Sequence, residues 1–366
     1  MTFIIDAHED LAYNALVFGR DYRRPVAETR RLEAGQVTPE RGDTLLGWPE
    51  QQRARVAVIF ATIFIVPRKH MDSPREASQS YENAGQARPL LQSQIDHYKG
   101  LCESDANMFK MVYTRSDLID VLRPWEADPA PYPDTTHPIG LIILMEGAEG
   151  IQGVNALEEW WEAGVRLIGP VWAGGRFCGG TREHGAFTAE GYELLDAMAD
   201  LGFVLDISHM DTKSSLQALD HYRGSVVATH ANARALLQED TVERQLSDKA
   251  ICKLIGRGGV MGVIPFNRFL RAGWQDADGR EDISLDMLAA HIDHICQLAG
   301  NAWHAGLGSD FDGGIGLPHV PREIDSIADL PKLVPLLGNR GYKPEEIDAI
   351  MGSNWRRILE GALPLK

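Results

Sequence analysis

Eight short, strongly apolar runs constrain this chain more than any other feature. They are FIIDAH (3–8), VAVIFATIFIV (56–66), IGLIILMEG (139–147), VRLIGPV (165–171), GFVLDISH (202–209), SVVATH (225–230), GGVMGVIPF (258–266) and AGLGSDFDG (305–313). None alternates cleanly between apolar and polar, the pattern of strands in a parallel sheet covered on both faces. Helical patterns lie between them: NALEEWWEAG (155–164), TAEGYELLDAMADLG (188–202) and SLDMLAAHIDHICQLAG (284–300). Asn155 and Thr188 read as N-caps, and each of the three patterns closes on glycine. Strand–helix alternation through eight strands predicts an α/β fold, a (β/α)8 TIM-type barrel. A doubly wound sheet is the competing arrangement, but no glycine-rich phosphate turn follows the first strand.

The 366 residues suit one large barrel, which runs from roughly 200 to over 400 residues with insertions. A single domain over 1–366 is therefore expected. Two stretches break the rhythm: 19–55, rich in Arg, Glu, Pro and Gly, and 67–138, with a polar helix at about 76–105 and then RPWEADPAPYPDTTHP. They read as long insertions after strands 1 and 2, on the face where a barrel carries its chemistry.

A formal charge of −16 and a pI near 5.2 argue against nucleic acid or an anionic membrane as partner. The eleven apolar residues at 56–66 are far short of the ~20 that span a bilayer. Residues 1–20 lack the basic start of a signal peptide. Cys102, Cys178, Cys252 and Cys296 show no CxxC spacing. A cytoplasmic protein with reduced thiols is the expectation.

His and acidic residues fall at the C-terminal ends of the runs: His8 and Asp10, Glu146, His209, His230, Asp310 and Asp312. Period-two alternation puts His8 and Asp10 on one face, and a barrel gathers its strand C-termini at one mouth. Three imidazoles with two or three carboxylates match the ligand set of Zn²⁺, and a carboxylate can bridge two ions ~3.5–4 Å apart. Glu149 competes with Glu146 in MEGAEG. His291 and His294, on an outer helix, read as packing or exposed residues, and Ser208 as a small strand-end residue without a G-x-S-x-G elbow.

DAHED, MEGAEG, GVRLI, DISHMD, THANAR and GSDFDG occur in that order with barrel-like separations. The set resembles the membrane (renal) dipeptidase family, the M19 metallopeptidases among the amidohydrolase-like barrels, from residue 4 to about 360. The resemblance implies a binuclear zinc site, two Zn²⁺ per chain. His8 and Asp10 would hold the first ion, Glu146 would bridge, and His209 and His230 would hold the second. Asp310 would be the acid/base residue and Asp312 a supporting acid. Arg244 is the match for the arginine that holds the substrate carboxylate, with Arg234 nearer in sequence.

One departure stands out: Trp172 occupies, to within a residue, the place of a substrate-contacting His, and indole cannot carry a proton or a positive charge. His184 in the next loop is a candidate replacement. The implied activity is dipeptide hydrolysis by a metal-bridging hydroxide. Alternatives are another metal-dependent amide or ester hydrolase (D-configured or modified dipeptides, N-acyl amino acids, lactones) or a catalytically silent binding homologue. A small-molecule substrate and a homodimer are the partners the resemblance points to.

Overall fold

The computed structural model describes residues 3–37, 42–237 and 243–365. Part of the first long segment (38–41) and the stretch between Leu237 and Glu243 therefore lie outside the described residues. Eight parallel strands form the barrel: β1 (Ile4–Glu9), β2 (Val56–Phe64), β3 (Ile139–Glu146), β4 (Val165–Gly169), β5 (Val204–Asp206), β6 (Val226–Val227), β7 (Met261–Val263) and β8 (Ala305–Leu307). Their order is β7-β8-β1-β2-β3-β4-β5-β6. The ring closes where Ala228, just past β6, bridges Met261 in parallel, with Gly262 N donating to Ala228 O at 2.8 Å.

Every residue of β2 and β3 is buried, because barrel interior and outer helices cover both faces. That is why these runs are apolar without alternation. Beyond the eight, Phe109–Met111 pairs with the start of β3, Phe109 opposite Ile139, on the edge that β4 joins only from Ile143. Trp355, on the helix Asn354–Ala362, packs edge-on against Phe60 at 5.3 Å and donates Nε1–H to Leu307 O at 2.9 Å. A Cβ on Gly306 would lie 2.4 Å from that nitrogen, so β8 needs glycine there.

Thr188 caps Ala189–Leu201, its side chain accepting from Gly191 N, and Gly202 closes the helix at φ 87°. Asn155 is not a cap. It sits in the 3₁₀ turn Val154–Ala156, and the helix Leu157–Ala163 begins two residues later, where Leu157 first meets the core. The long polar helix runs Ala84–Ser104, capped by Asn83. It starts later than expected because Ser73 and Glu76 close a capping box on a 3₁₀ turn, and Ser80–Tyr81 then pairs with Val66–Pro67. Segment 19–55 carries the helices Val26–Glu33 and Trp48–Ala54. Among the described residues no helix is long and apolar enough to cross a membrane.

Candidate metal centre

β1 ends on His8 and Glu9, and Asp10 follows. Asp6, one pleat earlier, accepts from Ser309 N at 2.7 Å and from His8 N at 3.4 Å. Asp6 thus ties the exit of β8 to the exit of β1 and brings Asp310 beside His8. Glu9 lies away from this cluster, where it accepts from Gln51 Nε2 at 2.7 Å. His209 and Asp310 stand at φ 66° and 54°, a left-handed backbone that non-glycine residues adopt at a cost. In both cases the turn follows a barrel strand at the mouth.

Glu146 occupies the middle of the cluster. Its Oε1 lies 2.8 Å from His209 Nε2 and 3.4 Å from His230 Nε2, and its Oε2 lies 3.6 Å from His8 Nε2. His8 Nε2 is also 3.6 Å from Asp10 Oδ2 and 3.8 Å from Asp310 Oδ1. Oε1 thus faces His209 and His230 while Oε2 faces His8, and two ligand groups that overlap at His8 lie within reach of an ion: His8, Glu146, His230 and His8, Asp10, Asp310.

Hydrogen bonds behind the imidazoles decide which nitrogen faces inward. Thr229 Oγ1 lies 2.5 Å from Asp206 Oδ2 and 2.8 Å from His230 Nδ1. The hydroxyl donates to the carboxylate, so it accepts Nδ1–H, and the Nε2 lone pair points into the cluster. Thr181 Oγ1, 3.3 Å from His209 O and 3.0 Å from His209 Nδ1, fixes the other ring in the same sense. Two Nε2 atoms 2.9 Å apart then turn their lone pairs toward a carboxylate oxygen. Glu146 Oε1, both nitrogens of His8 and Asp10 Oδ1 are buried without a hydrogen-bond partner. Acceptors converging this closely, held by outer hydrogen bonds, fit divalent cations.

The electrostatics agree. Burial, reinforced by the charges of Arg244 and His8, holds His209 and His230 well below the usual imidazole range, so both are neutral ligands. Burial would lower His8 too, but Glu146, Asp10 and Asp310 outweigh it and raise it to about 10. Burial pushes Glu146 up to about 8 and Asp310 up to about 7, against the pull of His8.

Arg244 is buried. Its Nη2 donates to His230 O at 2.8 Å and lies 3.2 Å from His209 Nε2, while Nη1 has no partner. Arg234 instead binds Thr212 Oγ1 and Gln245 O. Glu149, the alternative to Glu146, pairs with Arg176 at 3.2 Å. Asp312 turns away from the cluster and is satisfied by Thr44, Tyr22, Leu45 N and Arg20. Trp172 lines the mouth, its ring 6.2 Å from that of His209. His184 is half-exposed beside Asp211 at 4.0 Å and does not line the cavities at the mouth. His291 is buried and accepts from Ala233 N; His294 pairs with Asp248.

Several contributors escaped the motif reading: Asp206, Thr181 and Thr229 behind the imidazoles, and His70, Arg182, Phe266, Phe269 and Trp274 around the mouth. Asp206 and Thr229 sat inside DISHMD and THANAR, and a hydroxyl or acid adjoining a ligand was the available signal. The others come from long loops whose placement no local pattern carries.

A (β/α)8 barrel whose mouth gathers three imidazoles and three carboxylates around converging lone pairs is the architecture of a metal-dependent hydrolase. The chain belongs to the membrane dipeptidase family (peptidase family M19), whose family model matches residues 1–364. An uncharacterized protein of the pqqA 5′ region in Klebsiella pneumoniae is 35% identical over 234 residues, 61% of this chain and 82% of that protein. An uncharacterized dipeptidase of Schizosaccharomyces pombe is 27% identical over 370 residues, 97% of this chain and 79% of its own length. Among solved structures, the metallopeptidase of Rhodobacter sphaeroides liganded with a phosphinate mimic of L-Ala-D-Ala superposes with a TM-score of 0.77 at 24% identity, covering 98% of this chain and 99% of that one.

Proposed function

We propose that this protein is a dipeptidase that works with two zinc ions. The observation that carries the reading is Glu146, whose two oxygens face different histidine groups, beside an arginine with an unused, buried N–H pair. His8 and Asp10 would hold one ion, His209 and His230 the other, and Glu146 both. When bound, the ions supply Lewis acidity toward the scissile carbonyl and a water of lowered pKa.

The protein's own groups do the rest. Arg244 Nη1 donates to the free carboxylate of the substrate, a charge-assisted bond that a longer peptide could not reach with its distant terminus. Asp310, buried and raised to about 7, takes the proton of the attacking water and returns it to the leaving amine, a task suited to a group near the working pH. Thr229, Asp206 and Thr181 keep His230 and His209 in the tautomer that presents Nε2. Gly313 leaves the approach open: a Cβ there would lie 2.0 Å from Asp310 Oδ1 and 2.6 Å from Asp10 Oδ2.

Trp172 favours a second reading, hydrolysis of N-acyl amino acids or lactones on the same metals, because it offers no proton and no positive charge to the reacting centre. The test is metal analysis of the purified chain, together with turnover of L-L, L-D and D-D dipeptides against N-acyl amino acids and lactones. Two ions per chain and dipeptide turnover are expected. Fewer than one ion per chain would overturn the binuclear site, and turnover confined to lactones or N-acyl amino acids would replace the dipeptidase reading.

A further inference from the structure

Two chambers of very different size and charge meet at the metal centre. The smaller, about 100 Å³, is lined by Asp10, Tyr13, Phe64, Val66, His70 and Glu146 among others. The larger, about 1050 Å³, carries Arg182, Arg244, Arg268, Phe266, Phe269 and Trp274. Asp72, His209, Asp310, Gly313 and Gly314 line both, and so does Trp172. The Trp172 ring stands edge-on to Phe64 at 5.2 Å and His70 at 6.2 Å, with the Arg182 guanidinium 5.1 Å over its ring. Trp172 is thus the largest side chain on the border between the chambers.

Charge sets the direction of a dipeptide across that border. Among the described residues, no lysine or arginine lines the small chamber, whereas three arginines line the large one. A free carboxylate belongs with the arginines, so the ammonium end belongs toward the small chamber, with Asp72 on the border of both. Size then sets the side chains. The small chamber offers about a tenth of the space of the large one, so the smaller side chain belongs on the amino side. The large chamber is at the upper end of pockets that hold drug-sized ligands. It is also walled by aromatics, with Phe266 and Phe269 rings 4.8 Å apart and Arg244 stacked 5.5 Å over Phe269.

We infer that Trp172 is a specificity-determining residue and that the substrates are dipeptides with a small residue on the amino side and a bulky, preferably aromatic, residue on the carboxyl side. The inference rests on the dipeptidase reading above. Ala-Phe, Phe-Ala and Ala-Ala separate the two, with the zinc-loaded full-length protein.

Expected is a kcat/KM for Ala-Phe at least tenfold above that for Phe-Ala, and a Tm raised more by a phosphinate mimic of Ala-Phe than by one of Phe-Ala. Trp172→Ala, which removes the largest side chain on that border, should raise kcat/KM for Phe-Ala at least tenfold. Phe266→Ala, at the far wall, should lower the Ala-Phe to Ala-Ala ratio without help to Phe-Ala, and it keeps the idea testable if Trp172→Ala fails to fold. Phe-Ala cleaved as well as or better than Ala-Phe overturns the size and charge assignment alone. Hydrolysis of none of the three overturns the dipeptidase reading and this inference with it. Unchanged Phe-Ala turnover in a folded Trp172→Ala overturns the role of Trp172.

Discussion

Thr229 Oγ1 stands 2.8 Å from His230 Nδ1, and this hydroxyl, anchored on Asp206, fixes the face that His230 turns to the metal centre. Thr229→Val keeps the shape and removes the acceptor, so the ring loses its tautomer preference and Asp206 loses a donor. Loss of such a partner typically costs 10–100-fold in metal affinity or activity. Metal titration of the stripped protein with a competing chelator should show that loss, and an affinity unchanged within twofold would deny Thr229 its orienting role.

Metal loading should release protons. Without metal, burial lowers His8 but three carboxylates prevail and hold it at about 10, so it is protonated at neutral pH. A metal needs the lone pair and must displace that proton. Affinity should therefore climb with each pH unit up to about pH 10. Calorimetric titration in buffers of different ionisation enthalpy at pH 7.5 should register at least about one proton released per chain, and His8→Ala should register fewer. Buffer-independent heats would contradict this.

The strand ends were legible because a parallel barrel imposes one rule on all of them: apolar runs buried on both faces end where the polar chemistry starts. His8, Glu146, His209 and His230 could be read at those ends, and the structure places all three imidazoles within 3.6 Å of Glu146. Boundaries were read less well where hydrogen bonds outweigh hydrophobic pattern, as at Ser73–Glu76, whose capping box delays the long helix. Asp312 shows another limit. It follows Asp310 by two residues, yet φ values of 54° and 65° break the strand alternation and send the second carboxylate to Arg20 and Thr44. His70 and Trp274 reach the mouth from loops far apart in sequence, and no local periodicity encodes such a meeting.

The Arg20–Asp312 pair should matter to stability. Arg20 Nη1 lies 3.0 Å from Asp312 Oδ2 with both side chains essentially buried, and it fastens segment 19–55 to the loop that carries Asp310. Removal of Asp312 leaves Arg20 paired with Glu33, at 2.9 Å, and takes the acceptor from Tyr22, Thr44 and Leu45 N, at a typical cost of about 1–3 kcal/mol. Asp312→Ala should lower the unfolding free energy by about that amount in urea titration. A loss below about 1 kcal/mol would show that water reaches Arg20.

His291 should make the fold acid-sensitive. Burial, aided by His294, lowers it from 6.5 to about 4, and the neutral ring accepts from Ala233 N at 3.2 Å. A depressed imidazole favours the folded state fully above the unfolded pKa of 6.5, and that contribution is lost as pH falls from there through 4. With ~1.36 kcal/mol per pKa unit, the loss between pH 7 and pH 4 is about 3 kcal/mol. Urea unfolding at both pH values should show a His291→Gln variant losing less stability on acidification than the parent by about this amount. Equal losses would mean that His291 is protonated in the fold without penalty.

Asp310→Asn should separate proton transfer from metal binding. The amide occupies the same volume and can still hydrogen-bond, but it cannot take a proton. Transfer by a positioned side chain typically contributes 10²–10⁴-fold, so kcat should fall by at least about 100-fold. Metal content should be retained, because His8, Asp10, Glu146, His209 and His230 are intact. The pH profile adds a readout that a structural role would not move. Burial raises the Asp310 carboxyl to about 7, and bound cations pull it lower, so the parent should lose activity as pH falls through a limb below 7, where Asp310 becomes protonated. In the variant that limb should vanish from the residual activity. Full activity with the limb intact would assign the proton to another group.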